Sequence, residues 1–324
     1  MKKNDVAAII LAAGKGTRMK SDLPKVLHPV CGRPMVLYVL DLVKALKARQ
    51  HVVVLGYKAV DVKKVLDPAT RTVVQKRVIG TADAVKQAMP ALRTFKGTVI
   101  ILYGDTPLLK KETIERLIKR HTESKAAATI LTAIMEEPFG YGRILRDEYA
   151  SICGIQEEKD CDGYQKEIKE INTGIICFDK RQLEASLKKV RPNNKKKEYY
   201  LTDCIKILRD QGALIEGVVV KDAHEALGVN SRVELAQAQA SVRSTINESF
   251  MKAGVTIVDP DTTLISHGTS IGADTTIYPF TVIDNFVTIG TQCKVGPFAH
   301  IKEGAKIRKN TVVDGFPSRS IRKL

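Results

Sequence analysis

The C-terminal part of the chain repeats with a period of six residues. Aliphatic side chains fall at that step at Ile265, Ile271, Ile277, Ile283, Ile289, Val295, Ile301 and Ile307. Glycine follows several of them, and the residues between are mostly small or polar. A hexapeptide period is typical of a parallel β-helix, in which each aliphatic side chain fills a corner of a triangular coil. We therefore predict a short left-handed parallel β-helix over residues 255–324, rather than a sandwich with coincidental spacing.

The earlier part of the chain alternates short apolar runs with amphipathic ones. VAAIIL and TVIILYGD are short runs that are β-branched or continuously apolar, as in strands that are covered on both faces. PMVLYVLDLVKALKA has the periodicity of a helix. This alternation predicts a Rossmann-like α/β domain over residues 1–228, with a mostly parallel mixed sheet and an antiparallel addition around residues 140–178. A helical pattern over residues 229–254 predicts a linker helix.

Composition and charge exclude several classes of protein. The 324 residues contain neither a signal-peptide pattern nor an apolar run of membrane-spanning length, so we expect a cytoplasmic protein without a membrane partner. The six cysteines lack zinc-site spacing and are expected to be reduced thiols. The net charge of +16 comes without a nucleic-acid-binding motif, which favours anionic small molecules over nucleic acid as partners. The basic run NNKKKEYY is interpreted as a solvated loop.

A glycine-rich stretch, LAAGKGTRMKSDLPKVLHPV, overlaps the end of the first apolar run and continues beyond it. Loops that follow strands of an α/β sheet are where ligands bind. Met19 stands where a dinucleotide fingerprint needs its third glycine, and Gly16 is not followed by the Lys and Ser or Thr of a P-loop. The stretch does place Arg18 and Lys25 behind small residues whose backbone amides can approach a phosphate. It predicts a phosphate-rich ligand outside both common templates.

Several motifs then carry a resemblance to a known family. They are LAAGKGTRMKSDLPKVLH, LYGDTPL, GYGRI, EINTGI, EYYLTD and GVNSR. In order and approximate spacing they resemble bacterial UDP-N-acetylglucosamine pyrophosphorylase, the uridylyltransferase half of the bifunctional enzyme that also acetylates glucosamine-1-phosphate. The resemblance implies transfer of UMP from UTP to N-acetylglucosamine-1-phosphate, giving UDP-N-acetylglucosamine and pyrophosphate. That product is a precursor for the cell wall.

The resemblance also implies a role for each matching position. The positions that would hold uridine and phosphates are Leu11, Ala12, Ala13, Gly14 and Lys25. The positions that would read the uracil edge are Gln75, Gly80 and Thr81. The positions at the end of the run ILYGD that would lie beside the substrates are Tyr103, Gly104 and Asp105. The positions that would contact the sugar are Gly142, Glu157 and Asn172.

Catalysis in this interpretation rests on charge neutralisation. A sugar-phosphate oxygen is already anionic and can attack the α-phosphorus of UTP in line, so no tuned general base is required. Asp105 and Asn230 would share Mg²⁺, a hard cation that takes a few protein oxygens and completes its shell with phosphates and water. Arg18 and Lys25 would supply the remaining positive charge, with Arg18 at the α-phosphate.

The chain departs from the family pattern in two places. Asp83 stands in the run IGTADAV where the family usually has His, which affects the contacts with the base or the neighbouring phosphate. The hexapeptide region also has fewer repeats than the bifunctional enzyme, whose acetyl transfer uses later coils, so we expect no acetyltransferase activity. A homo-oligomer, a trimer formed through the β-helix, is expected.

Alternatives remain at this point. The sugar phosphate could be glucose-1-phosphate, or the nucleotide dTTP, with the same reaction. The chain could instead be a hexapeptide acyltransferase or a non-catalytic sugar-nucleotide sensor. The intact set of Arg18, Lys25, Asp105 and Asn230 argues against a sensor.

Overall fold

The computed structural model describes residues 5–315, which fall into two compact units. The first unit comprises Met1–His28 and Met35–Asn230, and the second comprises Pro29–Pro34 and Ser231–Leu324. Pro29–Pro34 thus groups with the C-terminal unit, although it lies within the α/β domain predicted from the sequence.

The described elements have the following bounds. The strands before residue 230 are β1 (Val6–Ala12), β2 (Pro29–Val30), β3 (Arg33–Pro34), β4 (Gln50–Leu55), β5 (Thr72–Val74), β6 (Thr98–Tyr103), β7 (Ala128–Ile134), β8 (Arg143–Arg146), β9 (Ile152–Gln156), β10 (Glu170–Asp179) and β11 (Ile215–Val219). The α-helices are α1 (Met35–Ala45), α2 (Ala59–Val65), α3 (Thr81–Ala88), α4 (Lys111–Ser124), α5 (Gly163–Lys166), α6 (Lys180–Leu187), α7 (Asp203–Asp210), α8 (Ala223–Ala226) and α9 (Arg232–Lys252). Single 3-10 turns cover Thr17–Met19, Lys25–Leu27, Met89–Leu92 and Glu158–Asp160. No helix among these combines the length and apolarity needed to cross a membrane.

The first unit is built on a mixed sheet of nine strands. Its order is β11-β7-β10-β6-β1-β4-β5, with β8 and β9 attached to β10. Strand β1 runs parallel to β4 and β6, as β4 does to β5 and β7 to β11. Strand β10 inserts antiparallel between β6 and β7, and β8 and β9 pair as an antiparallel hairpin. The predicted mixed sheet with its antiparallel addition is confirmed.

Helices cover both faces of this sheet. Ile9 and Ile10 are neighbours on β1 and each is 0% exposed, yet they belong to different hydrophobic clusters because side chains alternate along a strand. Ile9 shares its cluster with residues of α3, α6 and α7, and Ile10 shares its cluster with residues of α1 and α4. Burial of each such side chain stabilises the fold by about 1.5–3 kcal/mol. The carboxyl ends of β1 and β6 are therefore fixed in place by helices packed on both faces of the sheet.

The second unit consists mainly of a parallel β-helix. Its strands are β12 (Thr256–Ile257), β13 (Leu264–Ile265), β14 (Ser270–Ile271), β15 (Thr276–Ile277), β16 (Val282–Ile283), β17 (Thr288–Ile289), β18 (Lys294–Val295), β19 (His300–Ile301), β20 (Lys306–Ile307) and β21 (Val312–Val313). They form three parallel sheets, in which Ile265 pairs with Ile283 and Ile283 with Ile301. Each position of the predicted hexad series ends one of these strands, which confirms the prediction.

Helix α9 and the hairpin β2–β3 complete the second unit. Ser231 caps α9 by accepting from the Glu234 amide, and the Glu234 side chain bonds back to the Ser231 amide. Buried Asn247 donates to the carbonyls of Pro260 at 2.9 Å and Thr263 at 3.0 Å. The side chain of Asn285 in the β-helix donates to the hairpin carbonyl of Gly32 at 3.0 Å. The helix that the sequence predicted as a linker is therefore a packed part of the β-helix unit.

Candidate active site

A cavity of about 410 Å³ opens at the carboxyl ends of β1 and β6, within the first unit. Most of the site residues predicted from the sequence line it. Those lining residues are Leu11, Ala12, Ala13, Gly14, Lys25, Gln75, Gly80, Thr81, Tyr103, Asp105, Gly142, Glu157 and Asn172. The volume is in the range of small-ligand sites. Residues from widely separated segments thus meet at the edge of the sheet where α/β folds bind ligands.

The glycine loop after β1 is fixed by a hydrogen bond at Ala13 and has open space at Gly14. The Tyr57 amide donates to the Ala13 carbonyl at 3.0 Å, and a Cβ on Gly56 would come within 2.6 Å of that carbonyl oxygen. Gly14 has open space where a side chain would stand. Gly16 has φ 66°, and a Cβ there would meet the Lys25 side chain at 2.5 Å. Glycine at position 16 therefore lets the loop pass closely over Lys25.

Three predicted residues do not line the cavity wall. The Gly104 amide donates to the Leu11 carbonyl at 2.9 Å and so extends the pairing of β1 with β6. Arg18 lies exposed on the 3-10 turn Thr17–Met19. Asn230 is not among the lining residues, but it accepts a hydrogen bond from Lys25, which is.

Lys25, Asp105 and Asn230 form one cluster. The Lys25 ammonium makes an ion pair with the Asp105 carboxylate and donates to Asn230 Oδ1 at 2.9 Å. Asn230 Nδ2 donates to the Gly228 carbonyl at 2.7 Å, which turns its Oδ1 toward the lysine. A Cβ on Gly228 would come within 3.2 Å of the Asp105 carboxylate. Two side-chain oxygens therefore share one cation, and Asp105 is only 7% exposed.

The same two oxygens suit a magnesium ion. Within residues 5–315, no group of three or more His, Cys, Asp or Glu side chains could hold a metal ion. Mg²⁺ is usually bound through one or two protein carboxylates together with phosphate oxygens and water. Asp105 supplies the carboxylate and Asn230 adds an amide oxygen; both already contact the positive charge of Lys25, and they leave most of a coordination shell to a ligand.

On another wall of the cavity lies a buried amide. Gln75 follows β5, is 2% exposed, and donates through Nε2 to the Gly80 carbonyl at 3.0 Å and to Asp83 Oδ2 at 2.7 Å. Gly80 has φ 125°, and a Cβ there would lie 2.3 Å from the carbonyl oxygen of Tyr199. The Thr81 hydroxyl accepts from the Leu201 amide at 3.0 Å. The segment around residue 200 thus packs against the start of α3 and is hydrogen-bonded to it.

That segment contains cavity-lining residues that were not predicted as site residues from the sequence. Lys196, Glu198, Tyr200 and Thr202 all line the cavity. The interpretation of NNKKKEYY as a solvated loop is wrong for Tyr200, which is 9% exposed, whereas Lys196 is exposed. The overlapping motif EYYLTD was the available signal, because it belongs to the family pattern. Charge and polarity alone do not separate a solvated loop from the wall of a polar cavity.

Acidic side chains in and next to the cavity wall that contains Glu157 have shifted pKa values. Burial raises the pKa of Glu157, and nearby Asp160 raises it further, whereas a 2.9 Å hydrogen bond from the Thr202 hydroxyl lowers it. Burial, with Glu157 and Asp160, raises the pKa of Asp203 to about 6. Burial also raises the pKa of Tyr103, and the Glu157 and Asp105 carboxylates add to that rise. Tyr103 therefore stays protonated at neutral pH.

Comparison with known proteins gives two domain matches. Residues 8–167 match the MobA-like NTP transferase domain, and residues 268–303 match the bacterial transferase hexapeptide family with six repeats. The chain is also 46% identical over 295 residues to the bifunctional protein GlmU of Geobacillus thermodenitrificans, covering 91% of this chain and 64% of the relative.

Two further relatives extend the match. GlmU of Bacillus velezensis is 46% identical over 94% of this chain and 67% of its own length. GlmU of Brevibacillus brevis is 43% identical over 95% of this chain and 68% of its own length. The chain belongs to the GlmU family. It spans about two thirds of the length of these GlmU relatives, with 64% for the Geobacillus protein. Its first unit carries the nucleotidyltransferase domain of the family, and its second unit carries the hexapeptide repeats.

Proposed function

We propose that the first unit transfers UMP from UTP to N-acetylglucosamine-1-phosphate, giving UDP-N-acetylglucosamine and pyrophosphate. One observation carries this proposal. A single cavity holds an amide suited to a base at Gln75, a cation for phosphates at Lys25, and polar groups for a hydroxyl-rich sugar at Glu157 and Asn172. Membership of the GlmU family and the resemblance to the uridylyltransferase half of the bifunctional enzyme support the choice of substrates.

The reaction is a displacement at phosphorus. An oxygen of the sugar phosphate forms a bond to the α-phosphorus of UTP. The bond from that phosphorus to the oxygen bridging to the β-phosphate breaks, and pyrophosphate leaves with the electron pair. The attacking oxygen is already anionic, so the chain contributes positioning and charge neutralisation rather than a general base.

Different parts of the chain make these contributions. The open backbone at Gly14 admits the triphosphate, and the Lys25 ammonium neutralises its charge. We propose that Arg18 stabilises charge on the α-phosphate; because it lies outside the cavity wall, this role requires the loop to carry its side chain to the nucleotide. Bound Mg²⁺, held by Asp105 and Asn230, would supply further charge stabilisation at the phosphates.

On the sugar side, Glu157 and Asn172 are proposed to accept and donate hydrogen bonds to the ring substituents. The Gly174 amide donates to Asn172 Oδ1 at 2.9 Å, which fixes the orientation of that amide side chain. Tyr103 packs against Gly174, where a Cβ would lie 2.7 Å from the ring. This packing keeps the wall between the phosphate and sugar sides of the cavity rigid.

A panel assay tests the proposal. Pyrophosphate release is measured with Mg²⁺ for UTP, dTTP, CTP, ATP and GTP, each with N-acetylglucosamine-1-phosphate and with glucose-1-phosphate. We expect UTP with N-acetylglucosamine-1-phosphate to give the highest kcat/KM, and chelation by EDTA to abolish turnover. A higher kcat/KM for glucose-1-phosphate or dTTP would change the substrates, and no release from any pair would refute the proposed reaction.

We further propose a cytoplasmic protein that assembles as a trimer through the β-helix. Six free cysteines support a reducing compartment. A hexapeptide stack with an apolar interior supports assembly through that unit. Light scattering should give three times the mass of one chain, and a monomer mass would contradict the trimer. The expected lack of acetyl transfer stays a prediction.

A further inference from the structure

We propose that Asp83 is a positioning residue that fixes the amide of Gln75 in one orientation, so that the site accepts pyrimidines carrying an N3–H and rejects cytosine. This inference rests on the proposed nucleotidyl transfer and concerns the base that the same cavity selects. It concerns the position at which the chain departs from the family pattern, where His is usual.

The geometry leaves Gln75 with one orientation. Both N–H bonds of its Nε2 are used, one toward the Gly80 carbonyl at 3.0 Å and one toward Asp83 Oδ2 at 2.7 Å. The Oε1 atom accepts no hydrogen bond from any residue between 5 and 315. Gln75 lines the cavity, so Oε1 is the group that remains for a ligand.

Asp83 is itself held for this contact. It lies in the first turn of α3, and the Gln87 side chain donates to its Oδ1 at 3.3 Å. Its Oδ2 is therefore left for Gln75. Since Gln75 is 2% exposed, water does not compete freely for these hydrogen bonds.

The two pyrimidines differ in what they offer such a group. Uracil and thymine present an N–H donor at N3, which matches a free amide oxygen. Cytosine presents an acceptor at N3 and an amino group at C4, which match an amide turned by 180°. A side-chain amide with neutral surroundings can turn and serve either base, because its oxygen and nitrogen ends have similar shape.

Asp83 removes that freedom. Turning the amide of Gln75 would bring Oε1 against two acceptors, the Asp83 carboxylate and the Gly80 carbonyl. Two hydrogen bonds, one of them to a charged group, would be lost in a buried place. Sites that leave buried polar groups unpaired reject a substrate far more strongly than sites that merely fit it less well. Discrimination against CTP therefore comes from a residue that does not itself line the cavity.

The test compares UTP with CTP in the full chain. We expect Asp83→Ala to lower the ratio of kcat/KM for UTP to that for CTP by about 10-fold, the effect of one hydrogen bond to a charged partner. The change should lie mainly in KM for the nucleotide, with kcat for UTP nearly unchanged. Asp83→Asn retains an oxygen that can accept from Gln75, so it should keep most of the selectivity. Selectivity between UTP and dTTP should not change in either variant, because both bases carry N3–H.

A matched control is Asp61→Ala. Asp61 occupies the first turn of α2, as Asp83 does that of α3, but its partner is the exposed Lys64. This control should keep the wild-type ratio. If Asp83→Ala does not give a folded protein by circular dichroism, Asp83→Ser is the second variant. Its shorter polar side chain also loses the contact with Gln75 Nε2, so it should lower the ratio of kcat/KM for UTP to that for CTP in the same way.

The outcomes separate the two proposals. A wild-type protein that releases no pyrophosphate from UTP would refute the proposed function. A wild-type protein that prefers UTP, with an unchanged ratio of UTP to CTP in the folded Asp83→Ala or Asp83→Ser variant, would overturn this inference and leave the proposed function standing. A decrease in kcat alone, equal for both nucleotides, would likewise overturn it, because a merely structural role predicts that result.

Discussion

Both units bury aliphatic side chains, but the β-helix repeats one packing arrangement, whereas the core of the α/β unit supports a single cavity. In the β-helix, side chains such as Ile265 and Ile283 repeat one environment from coil to coil, and each contacts its equivalents in the neighbouring coils. In the α/β unit, Ile9 and Ile10 instead support a single edge of the sheet, where loops with unrelated sequences meet. A repeated core spreads its stability over many equivalent positions, whereas a site depends on a few side chains. Substitutions in the α/β site should therefore change rates, and substitutions in the β-helix should change stability.

The largest effect is expected at the centre of the site. Asp105→Asn removes the carboxylate that pairs with Lys25 while it keeps the shape of the side chain. Pyrophosphate release should fall by about 10²–10³-fold in kcat, because a preorganised charge at the phosphates is lost. Asp222→Asn is the control, since Asp222 caps α8 outside the cavity. Equal turnover in Asp105→Asn and the wild type would exclude Asp105 from the phosphate site.

The next effect is expected in the β-helix core. Ile283 is 0% exposed, and Ile283→Ala should lower the free energy of unfolding of the second unit by about 2–5 kcal/mol through the cavity that it leaves. Ile283→Val is the matched control and should cost only about 0.5–1.5 kcal/mol. Urea unfolding measures both values. Loss of pyrophosphate release at 25 °C in a folded Ile283→Ala protein would contradict the expectation that substitutions in the β-helix change stability and not reaction rates.

A smaller effect is expected where α9 packs on the β-helix. Asn247→Ala leaves the carbonyls of Pro260 and Thr263 without their shared donor, which should cost about 1–3 kcal/mol in unfolding free energy. The exposed Ser249 one half-turn away offers a control in Ser249→Ala, which should change stability little. Equal stability of the two variants would show that α9 contributes only as a tether.

The smallest effect depends on pH and concerns Asp203, which follows the cavity-lining Thr202 in the α/β unit. The pKa of Asp203 is raised from 3.8 to about 6 in the folded protein. Folded Asp203 therefore binds protons more tightly than unfolded Asp203, and its presence makes the protein less stable as pH rises from about 4 to about 6. Asp203→Asn should thus stabilise the protein by about 1–2 kcal/mol at pH 7 and by nearly nothing below pH 4, since one pKa unit corresponds to 1.36 kcal/mol and solvent screens part of it. Thermal unfolding across this pH range measures the difference, and a flat difference would contradict the assigned cause.

Much of the fold could be predicted because it follows from local periodicity. The six-residue step from Ile265 to Ile307 specifies the strands of the β-helix, and the apolar run that contains Ile9 and Ile10 specifies a strand covered on both faces. The hairpin at residues 29–34 could not be placed this way. Its contacts, such as that of Gly32 with Asn285, join parts of the chain that carry no common pattern.

The residues of the candidate site likewise include some that the sequence predicted and some whose placement it did not. The glycine-rich stretch pointed to Lys25, and motif resemblance pointed to Asp105 and Asn230. The structure brings the three into contact, although Lys25 and Asn230 are 205 positions apart in the sequence. The sequence did not indicate that Arg18 lies outside the cavity wall or that Lys196 lies in it. Which way a loop side chain faces depends on the packing of distant segments, and no local period reports it.

The sequence by itself determined the order of the two architectures and those of their strands that follow a local period, and it predicted the loop that would meet a phosphate-rich ligand. Periodicity and turn chemistry are short-range properties, so they are readable from neighbouring residues. Only the tertiary structure decided that Asp83 holds the amide of Gln75, because that contact depends on how β5 and α3 pack in three dimensions. In the sequence Asp83 was only a departure from a family pattern, and in the folded chain it bonds the group proposed to read the base.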